Sequence, residues 1–259
     1  MASVSALAYY PIKGCGGIPV EHTEITMTGP PDDRLYAVVG PDGKTVWQGA
    51  VPRLATVRAR LAHGGATLAL SAPDADDLTV DVSQDGSVRS VDVEKWPGTG
   101  VDQGEDVATW LSDVLATPVR LVREPARAAR RLDSTALLII SESSLDCLNT
   151  RIERRGATPV PMSRFRPNVV ITGWPDPHTE DRVHRMTVGT TEIGFGELAI
   201  RCAVTTIDQT EGHRRGPEPL RTLADYRREP DGVSFGLKAT VLTPGRIAVH
   251  DPVTVTAWR

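Results

Sequence analysis

The side chains from which chemistry would have to be made in this 259-residue chain are three cysteines, six histidines and a few clusters of arginine and lysine. Cys202 stands in the run Arg201-Cys202-Ala203-Val204-Thr205-Thr206-Ile207-Asp208, between a cation and a β-branched stretch that reads as a strand end. A thiol beside a cation can be held as a thiolate, which is a nucleophile or a soft-metal ligand, whereas a lone free cysteine more often packs as a small hydrophobe. Residue type alone leaves both readings open. Cys15 and Cys147 are distant in sequence and there is no CxxC, so neither a disulfide framework nor a cysteine-built zinc or iron–sulfur nest is supported; a reducing, cytoplasmic setting fits best. His22, His63, His178, His184, His213 and His250 show no HxH or HExxH spacing that would gather a metal on one face. The cations concentrate in PIKGC (Lys13), DDR (Arg34), RFRPN (Arg164, Arg166 and, beside them, Asn168) and the stretch holding Arg127, Arg130 and Arg131.

Composition sets the frame for these groups. With 40% hydrophobic and 24% charged residues the chain reads as globular, with enough apolar mass for one large domain or two modest ones. A net charge of −4 argues against a general nucleic-acid binder, so any anionic ligand must be met by locally gathered cations. The opening MASVSALAYYPIKG has too short an apolar run for a signal peptide, and no stretch reaches the ~20 apolar residues of a membrane span.

The elements that must position the cations and the thiol are mostly strands. Up to about residue 100 the pattern is short alternating or β-branched runs (VSALAYYPI, TEITMTG, RLYAVV, ATLALSA, DLTVDVS, SVRSVDV) cut by Gly, Pro and Asp, with PDGK predicting a hairpin turn between LYAVV and TVW. Pro52-Arg53-Leu54 and the ATVRARL after it show no clear face. Residues 106–117 change period: Val107, Trp110, Leu111, Val114 and Leu115 fall at helix spacing behind Asp106, a capping residue. After the basic Arg127–Arg131 stretch, a solvated linker or a docking patch, TALLIIS reads as a strand. SESSLDCLNTRIERRG reads as a helix with Leu145, Leu148 and Ile152 on one side, Cys147 packed within it and Gly156 as its stop. NVVIT is a strand, and Pro167 is expected to keep Arg166 extended, sending one of the RFRPN arginines inward and its neighbour to solvent. MTVGTTEIGFG and LAIRCAVTTID form an expected strand pair, PLRTLADYRR a short helix, and the last stretch strand-turn-strand about Pro244-Gly245. The expectation is an α+β, predominantly β chain: an N-terminal β-barrel-like domain over 1–125 and a second β-barrel domain with a few helices over 126–259.

Taken in order, YYPIKGCGGIPV with DDRLYAVV, then RFRPNVVITG, then RCAVTTID with EPLRTLADYR resemble the MOSC proteins that carry an N-terminal β-barrel domain, the group that includes the amidoxime-reducing components. GEDVATWLSDVLATPVRLVRE, LLIISESSLDCLNTRI, TEDRVHRMTVGTTEIGF and VLTPGRIAVHDPV extend the likeness over nearly all of the chain. The resemblance implies a molybdenum cofactor, a pterin with a phosphate tail whose metal takes a further thiolate from the protein. Carried over by position, Cys202 is that thiolate, Lys13 and Arg34 are basic cofactor-binding positions, and Arg166 and Asn168 match the family's RPN. The residue chemistry agrees: thiolate suits a soft metal, guanidinium and ammonium groups suit phosphate, and Asn168 offers donor and acceptor to a polar pterin edge. Gly14, Gly49 and Ile200 depart from the family's pattern, replacing polar or charged residues.

The implied activity is reduction of N-oxygenated compounds such as amidoximes or hydroxylamines. Electrons would come from a separate ferredoxin, flavoprotein or cytochrome, with the Arg127–Arg131 stretch as one docking surface. Asp208 is a proton-donor candidate by proximity in sequence, a turn-capping role being the alternative. The competing functions are a cofactor or sulfur carrier without reductase activity and a metal-free biosynthetic member of the family.

Overall fold

The computed structural model describes residues 1–93, 96–124 and 136–259. It is predominantly β, 43% strand and 20% helix. The first strands are β1 (Ser3–Tyr9), β2 (Ile18–Val20), β3 (His22–Ile25) and β4 (Tyr36–Val39). After β4 the chain reverses as PDGK predicts, Gly40 N donating to Lys44 O at 2.9 Å and Gly43 N to Gly40 O at 3.0 Å. The TVW segment then forms a single bridge, Val39 to Thr45, rather than the second strand of a hairpin. It bends away because Trp47 O accepts from both Ala50 N and Val51 N, at 3.0 Å each.

Residues 52–62, ambiguous in sequence, split into a 3₁₀ turn (Pro52–Thr56) and β5 (Arg58–Ala62). β6 (Thr67–Ser71) and β7 (Leu78–Asp81) complete a three-stranded sheet with β5. β8 (Val88–Val93), β9 (Trp96–Asp102) and β10 (Arg120–Arg123) form a second sheet in the order β4-β10-β9-β8. Between β9 and β10, α1 (Glu105–Leu115) buries Val107, Leu111, Val114 and Leu115 as its period predicts. Its N-cap is Gly104 rather than Asp106, which lies in the first turn, where the helix dipole favours a carboxylate. These side chains share a core with Ile12, Tyr36, Leu54, Leu68 and Leu121.

The remaining elements are β11 (Leu137–Ser141), α2 (Glu142–Arg154), β12 (Val169–Thr172), β13 (Val183–Val188), β14 (Thr191–Arg201), α3 (Leu220–Tyr226), β15 (Arg228–Glu229), β16 (Gly232–Thr243), β17 (Gly245–Ala248) and β18 (Val253–Trp258). Ser141 caps α2 by accepting from Ser144 N at 3.2 Å, and Leu148 and Ile152 are buried. The expected break within TEIGFGELAIR is absent: β14 runs through it, because β13 pairs with its first half and β16 with its whole length, bulges absorbing the curvature. Pro244-Gly245 makes no hairpin either, since β17 leaves β16 to pair with β3.

The largest sheet runs β18-β13-β14-β16-β11-β12-β1-β2, with β15 beside β16. Among the described residues none of the sheets closes on itself. β1 lies antiparallel to β12, so the opening strands complete the sheet of the second half, while the segment after them builds the first. After β1, Ile12 and Cys15 enter the core of the first half. The division expected between 125 and 126, and Arg127, Arg130 and Arg131, lie outside the described residues.

Candidate functional site

Cys202 follows the last residue of β14 and opens a 3₁₀ turn, Ala203–Thr206. The two threonines of this block fix that turn: Thr205 donates its N–H and hydroxyl to Cys202 O at 3.1 and 3.0 Å, and Thr206 Oγ1 donates to Ala203 O at 2.7 Å. The thiol is exposed, unlike the buried Cys15, whose thiol burial pushes up to about 12. Arg201, beside it, donates to Phe165 O at 2.6 Å. Burial pushes its guanidinium down to about 10, the neighbouring Cys202 working the other way, so it stays cationic at neutral pH.

The other cations are assembled on Tyr10. Its ring lies beneath two guanidinium carbons, Arg34 Cζ at 4.5 Å and Arg166 Cζ at 4.4 Å from the centroid. Its hydroxyl donates to Pro167 O at 3.0 Å, and its N–H to Asp33 Oδ1 at 2.7 Å. Asp33 Oδ2 in turn takes Arg34 Nη1 at 2.5 Å. Arg166 donates to Gln209 Oε1 at 3.2 Å; its burial pushes the guanidinium down to about 10.

Arg34 and Arg166 both lie in the left-handed region, with φ of 57° and 59°. For Arg166 this corrects the extended conformation expected before Pro167. The 3₁₀ turn Met162–Arg164 ends there, Arg166 N donating to Ser163 O at 3.2 Å, and the reversal is held by the buried contacts of its side chain. The RFRPN arginines also do not divide between interior and solvent. Arg164 is 5% and Arg166 8% exposed, on opposite sides of the same turn, Arg164 reaching Thr205 O at 3.3 Å.

Two glycines make this packing possible. A Cβ on Gly17 would come within 2.5 Å of Tyr10 Cε1, and one on Gly16 would occupy the place of the Arg58 guanidinium. Arg58 bonds Ala55 O at 2.5 Å and Gln209 O at 3.1 Å, while Gln48 and Gln209 exchange reciprocal amide bonds at 3.0 and 3.2 Å. The loop after the cysteine is thus clamped to the N-terminal segment by fully buried amides, whose loss would leave unsatisfied groups.

These parts surround one cleft of about 590 Å³. Cys202, Lys13, Arg34, Arg166 and Arg201 all line it, with Lys44 as a further cation and Asp92 the carboxylate in the described lining. Trp47, Leu138, Phe165, Ile200 and Val204 supply apolar surface. Of the family departures, Gly14 and Ile200 line the cleft, and Gly49 lies beneath the Trp47 ring.

Two site residues expected from sequence are placed differently. Asn168 is 2% exposed and engaged at both ends of its amide: Oδ1 accepts from Leu138 N at 3.1 Å and Arg34 at 3.3 Å, Nδ2 donates to Ala8 O and Asp33 Oδ1. It braces Arg34 and leaves no group for a ligand. Asp208 lines a different cavity, with Arg155, Arg164, Arg215 and Arg221. Partial burial works to raise its carboxyl, but the N–H groups of Thr210 and Glu211, with Arg215 and Arg164, outweigh that and hold it below the usual range. It is a turn-capping anion, unsuited to giving up a proton at neutral pH. Tyr10, the Gln48–Gln209 pair, Arg58 and Trp47 also build the site, and no residue type or spacing in the sequence singled them out.

A cleft this size falls within the range of small-ligand sites. Among the described residues no group of three or more His, Cys, Asp and Glu could hold a metal ion. The chain therefore offers one exposed cysteine sulfur and a cationic pocket, which fits a metal that arrives on an anionic carrier supplying its remaining ligands.

Comparison with known proteins finds relatives over nearly the whole chain. Residues 1–118 match the MOSC N-terminal beta barrel domain and residues 127–254 the MOSC domain. Mitochondrial amidoxime-reducing component 1 of Homo sapiens is 33% identical over 98% of this chain and 82% of its own, and mitochondrial amidoxime reducing component 2 of Macaca fascicularis 32% over 98% and 83%. Molybdenum cofactor sulfurase of Oryza sativa subsp. japonica is 28% identical over 90% of this chain but only 32% of its own length. On these grounds the chain belongs to the MOSC family, with a MOSC N-terminal β-barrel domain preceding the MOSC domain.

Proposed function

We propose that this protein is an oxidoreductase that uses the molybdenum cofactor to reduce N–O bonds in compounds such as amidoximes and hydroxylamines. The observation that carries the reading is the exposed Cys202 thiol opening onto the cleft that Lys13, Arg34, Arg166 and Arg201 also line. When bound, the cofactor supplies oxygen-atom acceptance and storage of two electrons. Cys202 is its sulfur ligand, on the cleft that Arg201 also lines. Lys13, Arg34 and Arg166 hold the phosphate-bearing end, the guanidiniums pre-oriented by Tyr10, Asp33 and Asn168, so little ordering is left for binding. Each turnover consumes two electrons and two protons and releases water. The electrons come from a separate ferredoxin, flavoprotein or cytochrome. Three free cysteines suit the reducing cytoplasm we assign to it. No helix in the described residues is long and apolar enough to cross a membrane.

The test is metal analysis of protein made in a cofactor-competent host, beside Cys202→Ser, together with benzamidoxime turnover driven by a chemical reductant. Stoichiometric molybdenum and turnover, both lost in the variant, are expected. Metal-free protein overturns the cofactor. The match to a cofactor sulfurase favours one competing reading, a carrier, which molybdenum content without turnover would establish instead.

A further inference from the structure

Trp47 is one of few large apolar side chains left exposed, at 45%, and it lines the cleft. Met1, Met27, Val88, Leu242 and Trp258, the others among the described residues, do not line it. Its backbone is fixed on both sides: Val46 N donates to Val38 O at 2.8 Å, Trp47 O takes two N–H groups, and Gln48 is locked to Gln209. Its indole lies over Gly49 so closely that a Cβ there would overlap the six-membered ring at Cζ3 and Cη2. The ring therefore occupies a set position on a rigid loop, with one face supported by backbone. Leu138, Phe165, Ile200 and Val204 add apolar surface to a cleft that five cations also line.

We propose that Trp47 is the specificity-determining platform of the cleft, on which the flat conjugated part of an aromatic N-oxygenated substrate stacks, and that Gly49 is glycine to let it lie there. Stacking on an indole favours planar π systems over saturated chains of similar size, beyond what buried area alone gives. The inference rests on the reductase reading for the reaction but not for the binding.

The test compares benzamidoxime with acetamidoxime on the wild type, Trp47→Phe, Trp47→Ala and Gly49→Ala. In Gly49→Ala the new methyl displaces only the far end of the Trp47 side chain, so the fold is retained if Trp47→Ala perturbs it. Trp47→Ala and Gly49→Ala are expected to lower kcat/KM for benzamidoxime about tenfold and for acetamidoxime less than twofold, with Trp47→Phe close to wild type. Calorimetric binding of benzamidoxime to cofactor-free protein is expected to weaken by the same factor. Turnover whose aromatic preference is unchanged in both variants overturns the platform and leaves the reductase standing. Trp47-dependent binding of benzamidoxime without turnover overturns the reductase and leaves the platform.

Discussion

Gly16→Ala puts a methyl where the Arg58 guanidinium lies, at a backbone conformation that alanine adopts without strain. The Arg58 head can swing away, so the cost is not steric but the loss of its bonds to Ala55 O at 2.5 Å and Gln209 O at 3.1 Å. Hydrogen bonds from a charged donor contribute about 1.5–3 kcal/mol each, and rehydration of a half-buried guanidinium returns part of the sum. A net loss of about 2–3 kcal/mol is expected, or about 5–10 °C in Tm for a chain of this size. In an Arg58→Ala background the obstacle is gone, and alanine for glycine then stabilises by about 0.4–1 kcal/mol through the unfolded chain. The same substitution thus changes sign with its background, a coupling of about 3 kcal/mol in a double-mutant cycle followed by thermal and urea unfolding. Additive costs within about 0.5 kcal/mol, or a neutral Gly16→Ala in the wild type, would refute the clamp between the GCGG run and the loop behind Cys202.

Tyr10→Phe removes one buried hydroxyl bond and is expected to cost about 1 kcal/mol, whereas Tyr10→Leu also removes the ring beneath Arg34 and Arg166 and costs about 3 kcal/mol by urea denaturation; equal costs would mean the ring carries nothing. Asp208→Asn leaves the pH dependence of benzamidoxime turnover unmoved between pH 5 and 8, because its carboxylate is already held ionised outside the cleft; a shifted acid limb would restore it as a proton donor. His178 is packed against Tyr226 and Phe235, and burial, with Arg227 and Arg151, lowers its pKa from 6.5 to about 4. The unfolded chain takes up that proton first, so the stabilisation is complete above pH 6.5 and lost as pH falls toward 4, about 1–2 kcal/mol once partial exposure is discounted. Asp181, which burial raises to about 6, opposes this by binding its proton more tightly in the fold. The difference between wild type and His178→Phe in urea denaturation therefore grows in the variant's favour from pH 7 to pH 4; parallel curves would sink the argument.

Local pattern gave α1, α2 and most strands because their burial is one-sided: Val107, Leu111 and Val114 recur at helix spacing, and Gly156 follows the end of α2 as the expected stop. It could not show that β1 pairs with β12 or that β17 leaves its neighbour for β3, since such pairings join segments more than 160 residues apart or across the whole fold. The cleft residues divided along the same line. Cys202, Lys13, Arg34 and Arg166 were legible from type and block, and the structure brings them to one cavity. Asn168 has the right chemistry for a ligand, but its amide is consumed by four partners that no sequence window contains.

Why the cations meet as they do follows from the order in which their costs are met. Left-handed backbone at Arg34 and Arg166 costs roughly 1–2 kcal/mol apiece, and two guanidiniums over one ring repel each other. Neither arrangement would persist on its own. Asp33 offsets the repulsion, and its other oxygen holds the Tyr10 backbone, so the counter-ion also fixes the platform. Asn168 and Gln209 each accept a hydrogen bond from one of the two arginines, and Gly16 and Gly17 leave the space that the packing needs. Strain of this kind is retained where the surrounding structure over-determines it, and the side chains that do so here, Tyr10, Asn168, Gln209 and Asp33, are buried and, except for Asp33, uncharged. Positive charge is therefore left facing the cleft in a protein whose net charge is negative, already oriented before any anion enters.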